Sequence, residues 1–296
     1  MSTKLPTAEN GTGTFEKILR SAIELPGIKI NRADFLRKEL SKYFDEDVVV
    51  KAIETNPAQA GLSVKNLERI AKACINYETA KVTALSAAAG LPGGWAMAAT
   101  IPADIAQLFG HVIRVLQKLI YLYGWQEMFR EDCDGLDDET SNQLTLFIGV
   151  MFGVNAANAA LTKIAQAAAV QTEKTLLRTA LTHGTIYPLV KKIAKQLGFQ
   201  MTKPIFAKGV GKIIPIVGAV ASGVITFAFF RPMAKRLQKY LITLPMTSVD
   251  FYNQTLDCIE IIDIDFSNIV VESVDESDEI IIDEEEMDDE IVPYDD

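Results

Sequence analysis

The sequence predicts an all-α protein, a compact multi-helix bundle whose Gly- and Ala-rich helices are buried or membrane-embedded, followed by an acidic tail. Three observations support this prediction. Hydrophobic residues make up 49% of the 296 residues. Before residue 250 they recur at helical spacing, and no long alternating β-pattern competes with them. Three long runs carry no charge, namely Val82–Ala103, Thr140–Thr162 and Ile213–Phe230.

The charge distribution divides the chain into two parts of opposite sign. The net charge is −10, yet 19 of the 39 acidic residues and none of the 29 basic ones fall in 250–296. The rest of the chain therefore carries a net charge of +9. This contrast predicts a disordered N-terminus over 1–13, a helical domain over 14–245 and an acidic, disordered tail over 246–296.

The first helices are predicted from their start and stop signals. Residues 1–13 have no apolar core, which predicts that they are not a secretory signal. A helix is expected from Thr14 to Glu24, and Pro26 and Gly27 end it. A second helix starts at Asn31, and Ser63 is a suitable N-cap for a long third one.

The centre of the chain predicts two helices joined by a tight connection. We expect the first to end near Ala89, because Pro92, Gly93 and Gly94 follow it. A new helix is expected to start around Thr100 to Asp104, with Pro102 in its first turn. This connection predicts either helix packing around a tight turn or a functional surface.

The second central helix carries an apolar stripe and a polar face. Apolar residues recur at helical spacing from Ile105 to Tyr123, while Asp104, His111 and Lys118 follow one another at intervals of seven. The plainer interpretation of this polar face is a solvated surface. The alternative is a cleft in which Asp104 and His111 act as acid and base, with Arg114 for an anionic substrate.

The later segments predict packed helices rather than binding motifs. The acidic loop 131–139 departs from the calcium-binding EF-hand pattern, and we expect it to lead into a helix with an acidic first turn. Gly149 and Gly153 permit close helix packing. Lys191, Lys192 and Lys195 are expected near the end of a later helix. The Gly209–Lys212 segment lacks the spacing and the Ser or Thr of a phosphate-binding loop.

Composition argues against several classes of site. The three cysteines are far apart and the two histidines follow no zinc-ligand spacing, so we expect neither a metal nor another cofactor. Three cysteines without a pairing pattern also predict that the protein resides in a reducing compartment. The basic residues are spread along helices without a recognised module, so nucleic acid is not an expected partner.

The three uncharged runs leave two interpretations open. Each has about the length of a membrane span, but Ala, Gly, Thr and Asn dilute the apolar content. The helices of a compact bundle have the same composition. The tail combines short apolar runs, such as Ile280–Ile282, with dense carboxylates. It is expected to be disordered, and it can bind the basic body or a protein partner.

Several segments together resemble the EcsC family of bacterial proteins, over about residues 15 to 243. The first is Leu25–Arg32 with Phe35 and Leu36, which includes Pro26, Gly27 and Arg32. The central signature is similar at Leu91–Gly94 through Asp104, at Gln117–Leu119 and at Tyr121–Gly124. The later similar blocks are Phe147–Val154 and Lys212–Pro215 with Gly218.

The resemblance implies an all-helical, membrane-linked bacterial protein, without catalytic residues to transfer. We therefore expect a non-enzymatic protein at the cytoplasmic face of the inner membrane, peripheral or embedded, as an accessory to a transport or secretion complex. Its partners would be the membrane surface or a membrane protein complex. Two alternatives are a membrane-inserting effector regulated by its acidic tail, and an enzyme that uses Asp104 and His111.

Overall fold

Ten α-helices and a short 3-10 turn build the described part of the protein. The structure is a computed structural model, and it describes residues 11–89, 97–129, 136–170, 186–202 and 219–254, in which no β-strand occurs. The helices are α1 (Gly11–Ile23), α2 (Arg32–Leu40), α3 (Glu46–Glu54), α4 (Val64–Ala89), α5 (Met97–Leu122), α6 (Asp138–Met151), α7 (Asn155–Val170), α8 (Ile186–Thr202), α9 (Ala219–Ile242) and α10 (Val249–Gln254).

Helix α5 lies at the centre of the bundle. Nearly every side chain from Phe109 to Trp125 is buried, whichever way it points from the helix axis. Helices α1, α2, α4 and α9 pack against α5, and α4 also packs along α9. Since a surface helix buries only one stripe, burial all round identifies α5 as the core of the fold. The prediction of an all-helical bundle is confirmed.

Three predicted helix starts are confirmed by their capping hydrogen bonds. The side chain of Asn31 accepts a hydrogen bond from the backbone N–H of Asp34 (2.9 Å) at the start of α2. Ser63 caps α4 through the N–H of Asn66 (3.4 Å). Asp137 accepts from the N–H of Thr140 (2.7 Å), and acidic residues fill the first turn of α6 as expected. Each cap satisfies an N–H group that the helix itself leaves unpaired.

Several helix boundaries differ from the prediction. Helix α1 begins at Gly11 rather than Thr14, so the folded part starts before residue 14. Helix α5 begins at Met97, because the good helix formers Met and Ala extend it backwards, and Pro102 therefore lies beyond its first turn. Helix α8 continues to Thr202, so its three lysines lie in its middle rather than near its end.

Glycines close α5 and α6 by the same hydrogen-bond pattern. Gly124 and Gly153 have φ of 94° and 78°, a region that residues with a Cβ seldom adopt. After α5, Trp125 N–H donates to Ile120 O (2.9 Å), and after α6, Val154 N–H donates to Gly149 O (2.8 Å). This Schellman arrangement satisfies carbonyls at the helix ends. This arrangement explains why glycine stands at positions 124 and 153, two of the glycines named in the sequence analysis.

The second uncharged run lies inside the bundle. From Leu144 to Met151 every residue of α6 is buried, and Ala157, Ala160 and Leu161 of α7 are buried as well. Among the described helices, none combines the length and the apolarity needed to cross a membrane.

The folded body extends into the segment that the sequence assigns to the tail. Met246 and Thr247 are buried in the 3-10 turn Pro245–Thr247, and α10 follows it. The hydroxyl of Tyr252 accepts a hydrogen bond from Asn56 Nδ2 (2.8 Å). The predicted boundary at 245 is therefore at least nine residues too early, because apolar and aromatic side chains in 246–254 pack on the body. Residues 255–296 lie outside the described residues.

We expect Gly149→Ala to destabilise the protein by about 1–3 kcal/mol, because a Cβ there has no room. A Cβ built on Gly149 would lie 2.7 Å from Ala157 Cβ and 3.1 Å from Ile193 Cγ2. The matched control is Gly13→Ala in α1, where nothing lies within 4 Å of the added carbon. Urea unfolding should show a loss only for Gly149→Ala. An unchanged midpoint for that variant would contradict the tight packing of α6 on α7 and α8.

Candidate functional site

A buried carboxylate on α4 gathers three basic side chains of α5. Glu78 occupies an apolar register of α4, in line with Ala71, Cys74 and Val82, and its side chain has no exposed surface. His111, Arg114 and Lys118 lie on one face of α5, at spacings of three and four residues, and point to it. We call these four residues the Glu78 cluster.

Both oxygens of the Glu78 carboxylate are bound. Oε2 lies 3.2 Å from Nδ1 of His111. Oε1 accepts from Nζ of Lys118 (2.6 Å) and from Nε of Arg114 (3.3 Å). An ionised carboxylate only accepts hydrogen bonds, so Nδ1 of His111 carries the proton of its bond. The cluster therefore surrounds one buried anion with the side chains of Lys118 and Arg114 and an oriented imidazole.

The partners of Glu78 decide its protonation state. Burial by itself would raise the pKa of this carboxyl group. The hydrogen bonds from His111 and Lys118, with the charges of Lys118 and Arg114, outweigh burial and lower the pKa of Glu78 to about 2. Glu78 is thus an anion throughout the physiological range.

The predicted solvated face of α5 is wrong for His111 and Lys118. Both side chains are buried or nearly so, because they pack against α4 and bind Glu78 instead of facing water. A carboxylate that orients a histidine also occurs in general-base catalysis. Asp104 lies in α5, but its side chain is outside the described residues. An enzymatic use of Asp104 and His111 stays a prediction.

Sequence reasoning missed Glu78, although a signal was present. Residues at spacings of three or four lie on one face of α4, and this face contains Leu67, Ala71, Cys74, Glu78 and Val82. An acidic residue in an otherwise apolar stripe requires a buried partner. The partners come from another helix, so the sequence of α4 alone does not name them.

The segment 25–32 is bound to α5 through its backbone. The buried side chain of Gln117 accepts from Ile30 N–H (2.9 Å) and donates to Ile28 O (2.8 Å). Arg114 also donates to the carbonyl of Gly27. The first and the central of the blocks on which the EcsC prediction rests therefore contact each other directly.

Arg32 is a second buried charge and joins three parts of the fold. Its guanidinium donates to the carbonyls of Trp125 (3.0 Å), Ile53 (2.7 Å), Thr55 (3.1 Å) and Ala52 (3.3 Å). Three of these acceptors form the C-terminal end of α3, where a cation is favoured. Burial lowers the pKa of Arg32, while Glu127 opposes that shift.

One end of the bundle carries exposed apolar side chains. We call it the hairpin end; it is where α4 ends and α5 and α9 begin. Helix α4 runs antiparallel to α5, since Asn56 in the loop before α4 lies beside Gly124 after α5. Helix α9 runs parallel to α5, since Gln238 near its end donates to the Tyr123 hydroxyl (3.3 Å). Leu85 of α4 and Phe227 of α9 are 39% and 43% exposed on this side of the bundle, and Tyr77, at the middle of α4, is 59% exposed.

Cations lie among these exposed side chains. The guanidinium of Arg231 lies 5.7 Å from the ring centre of Phe227. Further from the hairpin end, at the middle of α4, Lys118 Nζ lies 5.0 Å from the ring centre of Tyr77. Lys81 is exposed between Tyr77 and Leu85. The uncharged runs Val82–Ala103 and Ile213–Phe230 both adjoin this end through their helical parts. The sequence did not predict that tertiary packing brings the two runs to one end.

The remaining predicted residues fall in three groups. Pro26 and Gly27 lie in the turn before α2, where both are exposed. Tyr123 is buried, and burial raises the pKa of its hydroxyl. Pro92, Gly93, Gly94, Pro215 and Gly218 lie outside the described residues.

The described residues contain no group of three or more His, Cys, Asp or Glu side chains that can hold a metal ion.

No protein-family model, curated protein or solved structure matches the chain. The resemblance to EcsC proteins therefore stays a prediction.

Proposed function

We propose that the protein is a non-enzymatic, membrane-associated helical protein that docks on anionic lipid through its hairpin end. We place it, as an EcsC-like bacterial protein, at the cytoplasmic face of the inner membrane, accessory to a membrane complex. The observation that carries the proposal is the exposure of Leu85 and Phe227 on the side of the bundle where two uncharged runs adjoin. Exposed apolar side chains gathered in one place are typical of interaction surfaces.

The charges around these side chains favour a lipid surface over a neutral partner. Lys81 and Arg231 lie beside the exposed apolar residues, and the chain before residue 250 has a net charge of +9. Each Lys or Arg near an anionic bilayer contributes about 1 kcal/mol of attraction.

We expect the double substitution Leu85→Ser with Phe227→Ser to weaken binding to anionic vesicles at low salt by about tenfold, because each removes one exposed apolar contact. Flotation of the full-length protein measures this. The matched control is Tyr43→Ser, a 44% exposed aromatic away from the hairpin end. Equal losses in both variants would show that binding has no fixed orientation, and no loss in either would remove the hairpin end as the docking surface.

A second candidate function is a membrane-inserting effector that its acidic tail restrains. The observation that favours it is the tail itself, because residues 255–296 hold 18 Asp and Glu residues and no Lys or Arg. Such a segment competes with anionic lipid for the basic body. Binding that high salt does not reverse would favour this candidate over peripheral docking.

A further inference from the structure

We infer that one exposed face of α4 is the binding surface for the protein's own acidic tail, residues 255–296. The face consists of exposed residues that recur along the helix from Lys65 to Leu85. We call it the α4 strip, and it comprises Lys65, Arg69, Lys72, Ala73, Asn76, Tyr77, Ala80, Lys81, Ala84 and Leu85. This inference concerns the chain in solution and does not depend on membrane binding.

The strip combines cations with exposed aromatic and small apolar side chains. Arg69 lies over the ring of the exposed Tyr43, 4.1 Å from its centre, and Lys118 lies beside Tyr77. The small side chains of Ala73, Ala80 and Ala84 form an exposed apolar surface between the cations. Tyrosine and arginine are enriched where proteins bind one another, because they combine large contact area with polar groups.

The lysines of the strip are available to a partner. None of the ion pairs among the described residues involves Lys65, Lys72 or Lys81. Glu68 is the only exposed acidic residue of α4 over the same length. The exposed charges of α4 from Lys65 to Lys81 therefore have a net charge of +3.

The tail has the complementary pattern. Short apolar runs such as Ile261–Ile262, Ile269–Val271 and Ile280–Ile282 alternate with carboxylates. Apolar side chains of such a run can lie on the alanines and Tyr77 while the flanking carboxylates meet the lysines. A polyanion without apolar runs would contact the lysines but leave the alanines and Tyr77 uncovered, so the tail fits the strip better than a free anion does.

The tail also begins close to the N-terminal end of the α4 strip. Tyr252 of α10 binds Asn56 in the loop that leads into α4, so residue 255 follows directly after an anchor near the start of the strip. The strip is about 30 Å long at 1.5 Å per helical residue. The 42 residues of the tail can extend well over 100 Å, so they reach its whole length. Tethering gives an effective concentration in the millimolar range, at which weak contacts suffice.

Carbodiimide cross-linking of the full-length protein in lipid-free buffer tests the inference. This reagent joins lysines to carboxylates that are in contact, and mass spectrometry maps the joined pairs. We expect tail carboxylates to be joined to Lys65, Lys72 and Lys81 in preference to Lys17, Lys192 and Lys195. The latter three are also exposed, but they lie on α1 and α8, which pack against each other rather than on α4. The preference should be independent of protein concentration and lost at high salt.

A charge reversal identifies the strip itself. Lys72→Glu with Lys81→Glu should reduce cross-links from the tail to Lys65 by about tenfold, whereas Lys192→Glu with Lys195→Glu should leave them unchanged. Both pairs are exposed, so neither is expected to unfold the protein, and thermal unfolding checks this. Cross-links spread evenly over all exposed lysines, or none to α4, would overturn the inference. Because no lipid is present, this outcome is separate from a failure of membrane docking.

Discussion

Replacing Glu78 by Ala is expected to lower the free energy of unfolding by about 3–5 kcal/mol. Removing one partner of a buried ion pair leaves the others as uncompensated charges, and this costs far more than losing a surface pair. Here Lys118 and Arg114 would lose their shared anion, and His111 would lose its acceptor. Urea unfolding followed by circular dichroism measures the change.

The matched control for Glu78 is Glu68→Ala, an exposed carboxylate on the same helix. A surface substitution of this kind is expected to change stability by about 0.5 kcal/mol or less. Equal effects of the two substitutions would contradict the prediction that the ion pairs of Glu78 stabilise the fold.

A second substitution at this position, Glu78→Gln, gives a pH signature with a definite sign. The pKa of Glu78 is lowered in the folded protein to about 2, below its ordinary value. Its contribution is therefore fully present above the ordinary pKa of a carboxyl group and is lost as the pH falls towards the folded pKa. The stability difference between the native protein and Glu78→Gln should be constant from about pH 7 to 5 and shrink between about pH 4.5 and 2. A difference that grows on acidification would contradict this assignment.

Replacing Arg32 by Met is expected to destabilise the protein by about 3 kcal/mol or more. Met fills a similar volume, but the carbonyls of Trp125, Ile53 and Thr55 would lose a charged donor inside the core. Arg32→Lys should recover only part of the loss, because one ammonium group cannot reach acceptors that a planar guanidinium meets on several sides.

The matched control for Arg32 is Arg37→Met on the same helix. Arg37 is exposed and pairs with Glu46 at the surface, so about 0.5 kcal/mol or less is expected. If the two variants had equal free energies of unfolding, the hydrogen bonds of Arg32 would not contribute to the stability of the core.

Local signals in the sequence predicted the helix boundaries that depend on capping. The side chains of Asn31 and Ser63 act within one turn of their own position, so no knowledge of the tertiary structure is needed. The end of α4 at Ala89 was predicted for the same reason, because Pro92 and the glycines follow closely. The start of α5 was less well predicted, since Met97 to Ala99 carry no stop or start signal.

The candidate site depends on contacts between helices and was predicted only in part. His111 and Lys118 were predicted to lie on a polar face of α5, and Arg114 to bind an anionic substrate. Their partner Glu78 lies 33 residues before His111 on a different helix. Arg32 was singled out through the family resemblance, while its acceptors on α3 and at Trp125 appear only in the folded chain. The hairpin end likewise requires that α4, α5 and α9 meet, and no pattern within one helix shows this.

The measurement that tests the proposed function most directly is flotation of the full-length protein with anionic vesicles at low and high salt. A chain ending at Gln254 is compared with it, because an end at Thr247 would remove α10 and its contact with Asn56. We expect that the full-length protein floats at low salt, that the shortened chain floats more strongly, and that high salt releases both. If both chains stay in solution at low salt, docking on anionic lipid is contradicted.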